Sequence, residues 1–208
     1  MRGAFTAMEP FLRSIEDRIE GLRADLAGLK GRPIEPIVPL PQLTDRPYAP
    51  AAVLIAIVGH PRPTVLMTER LATMRVHAGQ ISFPGGRIDP ADNGPIEAAL
   101  REAEEEIGLP RDVPDVLGLL DEVVVGTGFL VTPVVARVPP GLKLVPHEAE
   151  VESLFEAPLD HVCDPANQRL ETAEMAGAIR SWYVIQWENR RIWGATARML
   201  VELGKRLG

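Results

Sequence analysis

"GQISFPGGRIDPADNGPIEAALREAEEEIGLP", residues 79–110, joins a glycine turn to a stretch that crowds seven acids and two arginines between Arg87 and Glu106. Pro95 suits the first turn of a helix, where its missing N–H is no loss, and Asn93 or Gly94 stands where a cap is needed. Gly108 followed by Pro110 is a stop signal. The spacing predicts a helix over 95–107 with Ile96, Ala99, Leu100, Ala103 and Ile107 as its buried stripe. On another side Glu102, Glu105 and Glu106 stand at i, i+3 and i+4, so their carboxylates converge within one turn.

Like charges at that spacing cost a bare helix about 0.2–0.5 kcal/mol per pair. A hard divalent cation, Mg²⁺ or Mn²⁺, offsets the repulsion, because it prefers carboxylate oxygens and leaves coordination positions for water and phosphate. The plain alternative is a solvated acidic face, which is common and is favoured for "EAEEE" taken alone. The glycines shift that balance. "FPGG" (83–86) ends a β-type segment and lets the backbone turn sharply, with main-chain N–H groups able to approach an anion.

Outward from this stretch the chain changes character near residue 50. Residues 51–58 and 64–70 read as strand, loop and strand, and 116–125 with 129–138 as a second apolar pair around Gly126 and Gly128. Residues 153–159 read as a short strand entering a turn, 181–187 and 190–194 as a hairpin, and the tail as a helix carrying Met199, Leu200 and Leu203. Strands outnumber helices, without regular βαβ alternation: an α+β fold with mixed strand directions. Ahead of it, residues 11–29 space Phe11, Ile15, Ile19, Leu22, Leu26 and Leu29 as an amphipathic helix, and residues 33–50 hold six prolines, an extended connector. We therefore divide the chain into an N-terminal helix and connector, 1–48, and a main domain, 49–208.

Composition excludes several function classes. A net charge of −7 argues against nonspecific binding to nucleic acid or an anionic membrane. The single cysteine, Cys163, forbids an internal disulfide and a thiolate metal cluster, and fits a reducing cytoplasm. No apolar stretch reaches transmembrane length. With 46% apolar residues but only 5% aromatic, the core must be mostly aliphatic. Trp182, Trp187 and Trp193 are expected in that core, and His60, His147 and His161, lacking metal-ligand spacing, are expected to be ordinary surface or loop residues.

Gly86, Asp92 and "REAEEEIGL" (101–109) together resemble the Nudix box, G-x5-E-x7-R-E-U-x-E-E-x-G-U with U aliphatic. Arg101 and Glu102 match its R-E pair, Glu105 and Glu106 its E-E pair, and Gly108 and Leu109 its end. Asp92 replaces the first glutamate, eight residues rather than seven precede Arg101, and Ala103 replaces a bulky aliphatic. Upstream, "LMTERLATMRVHAGQISFPGG" (66–86) resembles the segment that marks coenzyme A pyrophosphatases within the Nudix hydrolases, with Arg75, Gly79 and Phe83 to Gly86 at matching spacing. The resemblance implies an α/β/α sandwich with a mixed sheet between helices, and Mg²⁺- or Mn²⁺-dependent cleavage of the diphosphate of coenzyme A, free, oxidised or acylated. Alternatives are a Nudix hydrolase acting on ADP-ribose, a dinucleotide or another nucleoside diphosphate derivative, and a Nudix-fold binding module without turnover.

Within that resemblance Glu102, Glu105 and Glu106 are the metal ligands, and Arg101 fixes a glutamate rotamer. Glu105 and Glu106 also stand among the catalytic residues. The general base is a box glutamate or one of Glu148, Glu150 and Glu152, of which Glu150 is selected. Substrate contacts are assigned to Arg70, Arg75, His77, Gly79, Phe83, Gly85 and Gly86, the cations serving the phosphates. The partner is a small molecule, with a homodimer allowed.

Overall fold

A computed structural model describes residues 48–71, 79–175 and 177–207, together with Asp17. The main-chain order is β1 (Ala49–Val58), β2 (Thr64–Arg70), β3 (Ile81–Ser82), β4 (Gly85–Arg87), α1 (Pro95–Ile107), β5 (Asp115–Leu119), β6 (Val123–Val125) and β7 (Phe129–Val138). There follow β8 (Val151–Pro158), α2 (Leu159–Val162), β9 (Gln168–Met175), β10 (Ala178–Trp187), β11 (Arg190–Trp193) and α3 (Gly194–Leu207).

β1 organises the molecule. It pairs antiparallel with β2 and β4, and parallel with β7 from Ala49↔Phe129 to Val58↔Val138. β3 and β8 extend from β2, and β5 and β6 from β7, to complete an eight-stranded mixed sheet. A second, antiparallel sheet runs β11–β10–β9. Because successive strand residues face opposite sides, β1 feeds two cores. Leu54, Ala56 and Val58 pack with Ala98, Ala99, Ala103 and Ile107 of α1. Ile55 and Ile57 pack on the other face with Met199, Leu200 and Leu203 of α3 and Ile185 and Ile192 of the small sheet. This is the expected α+β sandwich, and its core is mostly aliphatic, with Phe83 among the buried residues.

Several local expectations need correction. The helix over 95–107 forms, but its buried stripe is rotated: Ala98 is fully buried, Leu100 half-buried, and Ile96 40% exposed. Alanines at 98, 99 and 103 let the helix lie close on the sheet, and Glu106 joins the buried set. The run 116–125 is two strands, β5 and β6. Its register shifts at Gly118, while Asp121 and Glu122 leave the ladder to meet Arg206 (3.0 Å) and Thr132 (3.3 Å). Pro50 belongs to β1 rather than to the connector. β9, "QRLETAEM", has no apolar alternation to announce it and is fixed by its pairing with β10. Asp17 is helical and exposed; the rest of the expected helix 11–29, and the connector up to residue 47, lie outside the described residues. Among the described residues no helix is long and apolar enough to cross a membrane.

The small-sheet face of the site is held by α3, and α3 is pinned by close contact with α2. An added Cβ at Gly204 would lie 2.6 Å from the Cys163 carbonyl oxygen and 3.2 Å from its Cβ. Elsewhere in a helix Gly→Ala gains about 1 kcal/mol. Here overpacking against backbone should win, and Gly204→Ala should lose about 1–3 kcal/mol in denaturant unfolding. A gain in stability would show that the α2–α3 contact yields.

Candidate active site

Arg101 gathers the site. Its Nε and Nη2 donate to Oδ1 and Oδ2 of Asp92, each at 3.0 Å. Its Nη1 donates to Glu102 Oε1 (2.8 Å) and Glu105 Oε2 (3.1 Å), and Nη2 also reaches the Arg87 carbonyl oxygen (3.0 Å). One planar guanidinium thus ties the acidic face of α1, the loop before it and the strand after the glycine turn. Asp92 is the residue that sequence reasoning left without a role. Its carboxylate is buried, accepts the Asp89 N–H at 2.8 Å, and is held below the usual carboxylate range chiefly by the Arg101 hydrogen bonds. The available signal was charge: α1 carries one basic residue against five acids, so Arg101 has acids to spare.

Glu106 is 5% exposed, accepts the Gly85 N–H at 3.1 Å and pairs with Arg70 at 3.4 Å. Burial pushes its pKa up to about 7, although the Gly85 N–H and Arg70 pull the other way, and Glu102 and Glu150 add repulsion. Burial also raises Glu102. Glu105 is the most exposed of the three, with 55% of its side chain accessible.

The glycine turn owes its composition to close approach. A Cβ at Gly86 would fall 2.4 Å from the Glu102 carboxylate, and one at Gly85 2.3 Å from the Ala52 carbonyl oxygen of β1. Gly79 has φ +65° and closes the return from β2 towards β3, its N–H bonded to the Arg70 carbonyl at 3.1 Å. Phe83 is buried in the core beneath the turn. Arg75 and His77 lie outside the described residues.

Glu150 is brought to the acids by the far end of α1. Gly108, in the left-handed conformation, ends the helix, and Val145 and His147 donate N–H groups to the Ile107 and Glu106 carbonyls at 3.0 and 2.8 Å. The turn that follows sets Glu150 close enough to act electrostatically on Glu102 and Glu106. His147 Nδ1 lies 3.8 Å from its Oε1. Glu148 and Glu152 are exposed.

A family model for the NUDIX domain matches residues 47–183, more than half of the chain. The chain belongs to the Nudix hydrolase family. It is 41% identical over 157 residues to the uncharacterized Nudix hydrolase NudL of Photorhabdus laumondii, covering 76% of this chain and 84% of that protein. A second uncharacterized NudL, from Salmonella paratyphi B, is 42% identical over 160 residues, covering 76% of this chain and 82% of its own. Similar solved structures include the Nudix hydrolase RenU of M. smegmatis (28% identity, TM-score 0.47, 56% of this chain and 74% of that one). Another is the NUDIX domain of Shewanella oneidensis NrtR complexed with ADP ribose (17% identity, TM-score 0.43, 59% and 80%).

Nudix hydrolases generally use divalent ions such as Mg²⁺ or Mn²⁺. Among the described residues no three acids or other ligating side chains are gathered closely enough to cage an ion. Arg101 and Arg70 instead take up the carboxylates separately. The donor chemistry nevertheless fits a hard cation: three carboxylates share one helix face, and Glu106 is buried with a raised pKa that a cation would lower.

Beside the turn lies a cleft of about 740 Å³. Gly85, Gly86 and Arg70 belong both to its wall and to the acid cluster. Val123 to Val125 and Val131 give it an apolar side, and Arg87, whose guanidinium lies 5.2 Å over the Phe129 ring, a cationic one. Trp182 and Trp193 also line it rather than filling the core, with ring centroids 6.5 Å apart. Strand register put them there: both stand on the cleft side of the small sheet, where periodicity alone cannot tell a core face from a binding face. Trp187 packs against the core beside His161 (4.9 Å).

The raised pKa of Glu106 has a testable sign. The unfolded chain ionises this group near 4.5 and the folded chain near 7, so between those values only the folded state keeps the proton. In chelator, its contribution should fall as pH rises through that window and level off above it. Glu106→Gln should therefore gain stability relative to the parent from pH 4.5 to 7, by on the order of a few kcal/mol. A constant difference across that range, in denaturant melts, would contradict the burial of an ionisable Glu106.

Proposed function

We propose that this Nudix hydrolase cleaves the diphosphate of coenzyme A, free or derivatised at sulfur, to 3′,5′-ADP and 4′-phosphopantetheine or its derivative. The observation that supports this reading best is the cleft. It starts at the glycine turn beside the acids, and it offers both an apolar side and cations, as a long pantetheine arm joined to a phosphorylated nucleotide requires.

Glu102, Glu105 and Glu106 would hold Mg²⁺ or Mn²⁺. A bound divalent cation supplies charge neutralisation at the diphosphate and acidifies the attacking water. The chain's own groups do the rest. Arg101 orients Glu102 and Glu105 through paired hydrogen bonds, and Asp92 holds Arg101. Arg70, paired with Glu106, stands where the diphosphate enters from the cleft. Glu150 takes a proton from water as its oxygen bonds to phosphorus and the bridging P–O bond breaks. The domain 49–208 carries all of these residues.

Incubation with Mg²⁺ and a panel of diphosphates, with products identified by mass, tests the substrate. Coenzyme A should yield 3′,5′-ADP and 4′-phosphopantetheine; intact coenzyme A beside consumed ADP-ribose would transfer the chemistry to another substrate. Glu150→Gln should lower kcat by about 10² or more, the range of a lost general base. Glu148→Gln, a change at an exposed neighbour, should stay near the parent. Equal kcat values for the two variants would remove Glu150 from the reaction.

A further inference from the structure

Beyond the glycine turn, the cleft is lined by Arg180, Ser181, Trp182 and Tyr183 of β10 and by Trp193 at the end of β11. Two N–H groups there are shut off from solvent without a hydrogen-bond partner among the described residues: Arg180 Nε and Trp182 Nε1. Buried donors left unpaired are costly, and a native fold keeps few of them. Arg190 on the neighbouring strand also buries an Nε without a hydrogen-bond partner, but it differs from Arg180 in carrying an ion pair. Arg190 is paired with Glu188 (3.2 Å) and Arg191 with Glu171 (2.5 Å). Arg180 makes no ion pair among the described residues, although β9 beside it carries Glu171 and Glu174 and the chain has a net charge of −7. An uncompensated guanidinium, an indole N–H and two tryptophan rings therefore share one end of the cleft.

That set of groups fits one chemistry, an aromatic ring bearing a nearby anion. Of the two arms of the substrate in the proposed reaction, on which this inference rests, only the nucleotide arm has both. The pantetheine arm is uncharged and has no ring. We infer that Arg180 reads the 3′-phosphate of the substrate's adenosine, that Trp182 Nε1 donates to the same nucleotide, and that the adenine lies among Trp182 and Trp193. Arg180 is then a specificity-determining residue, acting in binding and remote from bond cleavage. The valines at 123–125 and 131 are left for the pantetheine arm.

The test compares coenzyme A with 3′-dephospho-coenzyme A in the full chain with Mg²⁺. The parent should prefer coenzyme A. Arg180→Gln should raise KM for coenzyme A roughly 10- to 100-fold, the worth of a hydrogen-bonded charge, with kcat little changed. The same variant should treat the dephospho substrate as the parent does, and Arg180→Lys should recover part of the preference. The ratio of kcat/KM for the two substrates does not depend on how much of a variant is folded, so a poorly folding variant still reports. A second readout needs no turnover: quenching of tryptophan fluorescence by adenosine 3′,5′-bisphosphate against AMP, where the parent should bind the bisphosphate more tightly and Arg180→Gln should bind both alike. An unchanged preference in Arg180→Gln, in either assay, overturns the inference. Should coenzyme A resist hydrolysis while the nucleotide discrimination depends on Arg180, the proposed substrate falls and the Arg180 assignment stands.

Discussion

The site depends on the Arg101 guanidinium more than on any other group. Five donors in a rigid fork meet Asp92, Glu102, Glu105 and the Arg87 carbonyl at 2.8–3.1 Å. Those partners come from three segments that the β1 ladder alone would not hold together: the helix face, the loop 88–94 and the strand after the glycines. With 15% of its side chain exposed, Arg101 is screened from water, so its bonds are stronger than surface ion pairs of the same length. Remove it and three carboxylates lose their shared counter-ion at once.

The surrounding fold explains why so much charge is tolerated. β1 is buried on both faces, and the small side chains Ala98, Ala99 and Ala103 bring α1 close to it. That closeness carries Glu106 into the interior, where it meets Arg70 and the Gly85 N–H, and it leaves no room for a Cβ at Gly86 beside Glu102. Burial then raises the pKa of Glu106, and in part that of Glu102. The interior acid and the missing side chains are two consequences of one packing distance. A cation fits this arrangement because it would favour the ionised form that burial opposes.

Much of this was legible from residue types alone. Glycine, proline and charge spacing marked the bounds of α1 and the three glutamates, since caps, stops and i, i+4 geometry are local properties. Glu150 could be named as a candidate, yet its approach to the acids comes from N–H groups of residues 145 and 147 capping carbonyls of α1, a contact of long sequence separation. Asp92 was obscured by the extra residue between it and Arg101, which the turn at Asp89 to Asp92 absorbs. Trp182 and Trp193 were expected in the core because the sides of a hairpin look alike in sequence; tertiary packing chose the cleft. β9 was missed because a mostly polar strand carries no period-two signal.

We propose that the crowded acids of α1 form a cation site, and not merely a solvated face. Titration of the protein with Mn²⁺, followed by the loss of the free-ion electron paramagnetic resonance signal, measures this without reference to any substrate. Saturable binding is expected in the parent and a marked loss of affinity in Glu106→Gln, with Glu104→Gln, a change on the exposed side of the helix, binding like the parent. A parent that leaves Mn²⁺ free, or three proteins that bind it alike, would contradict it.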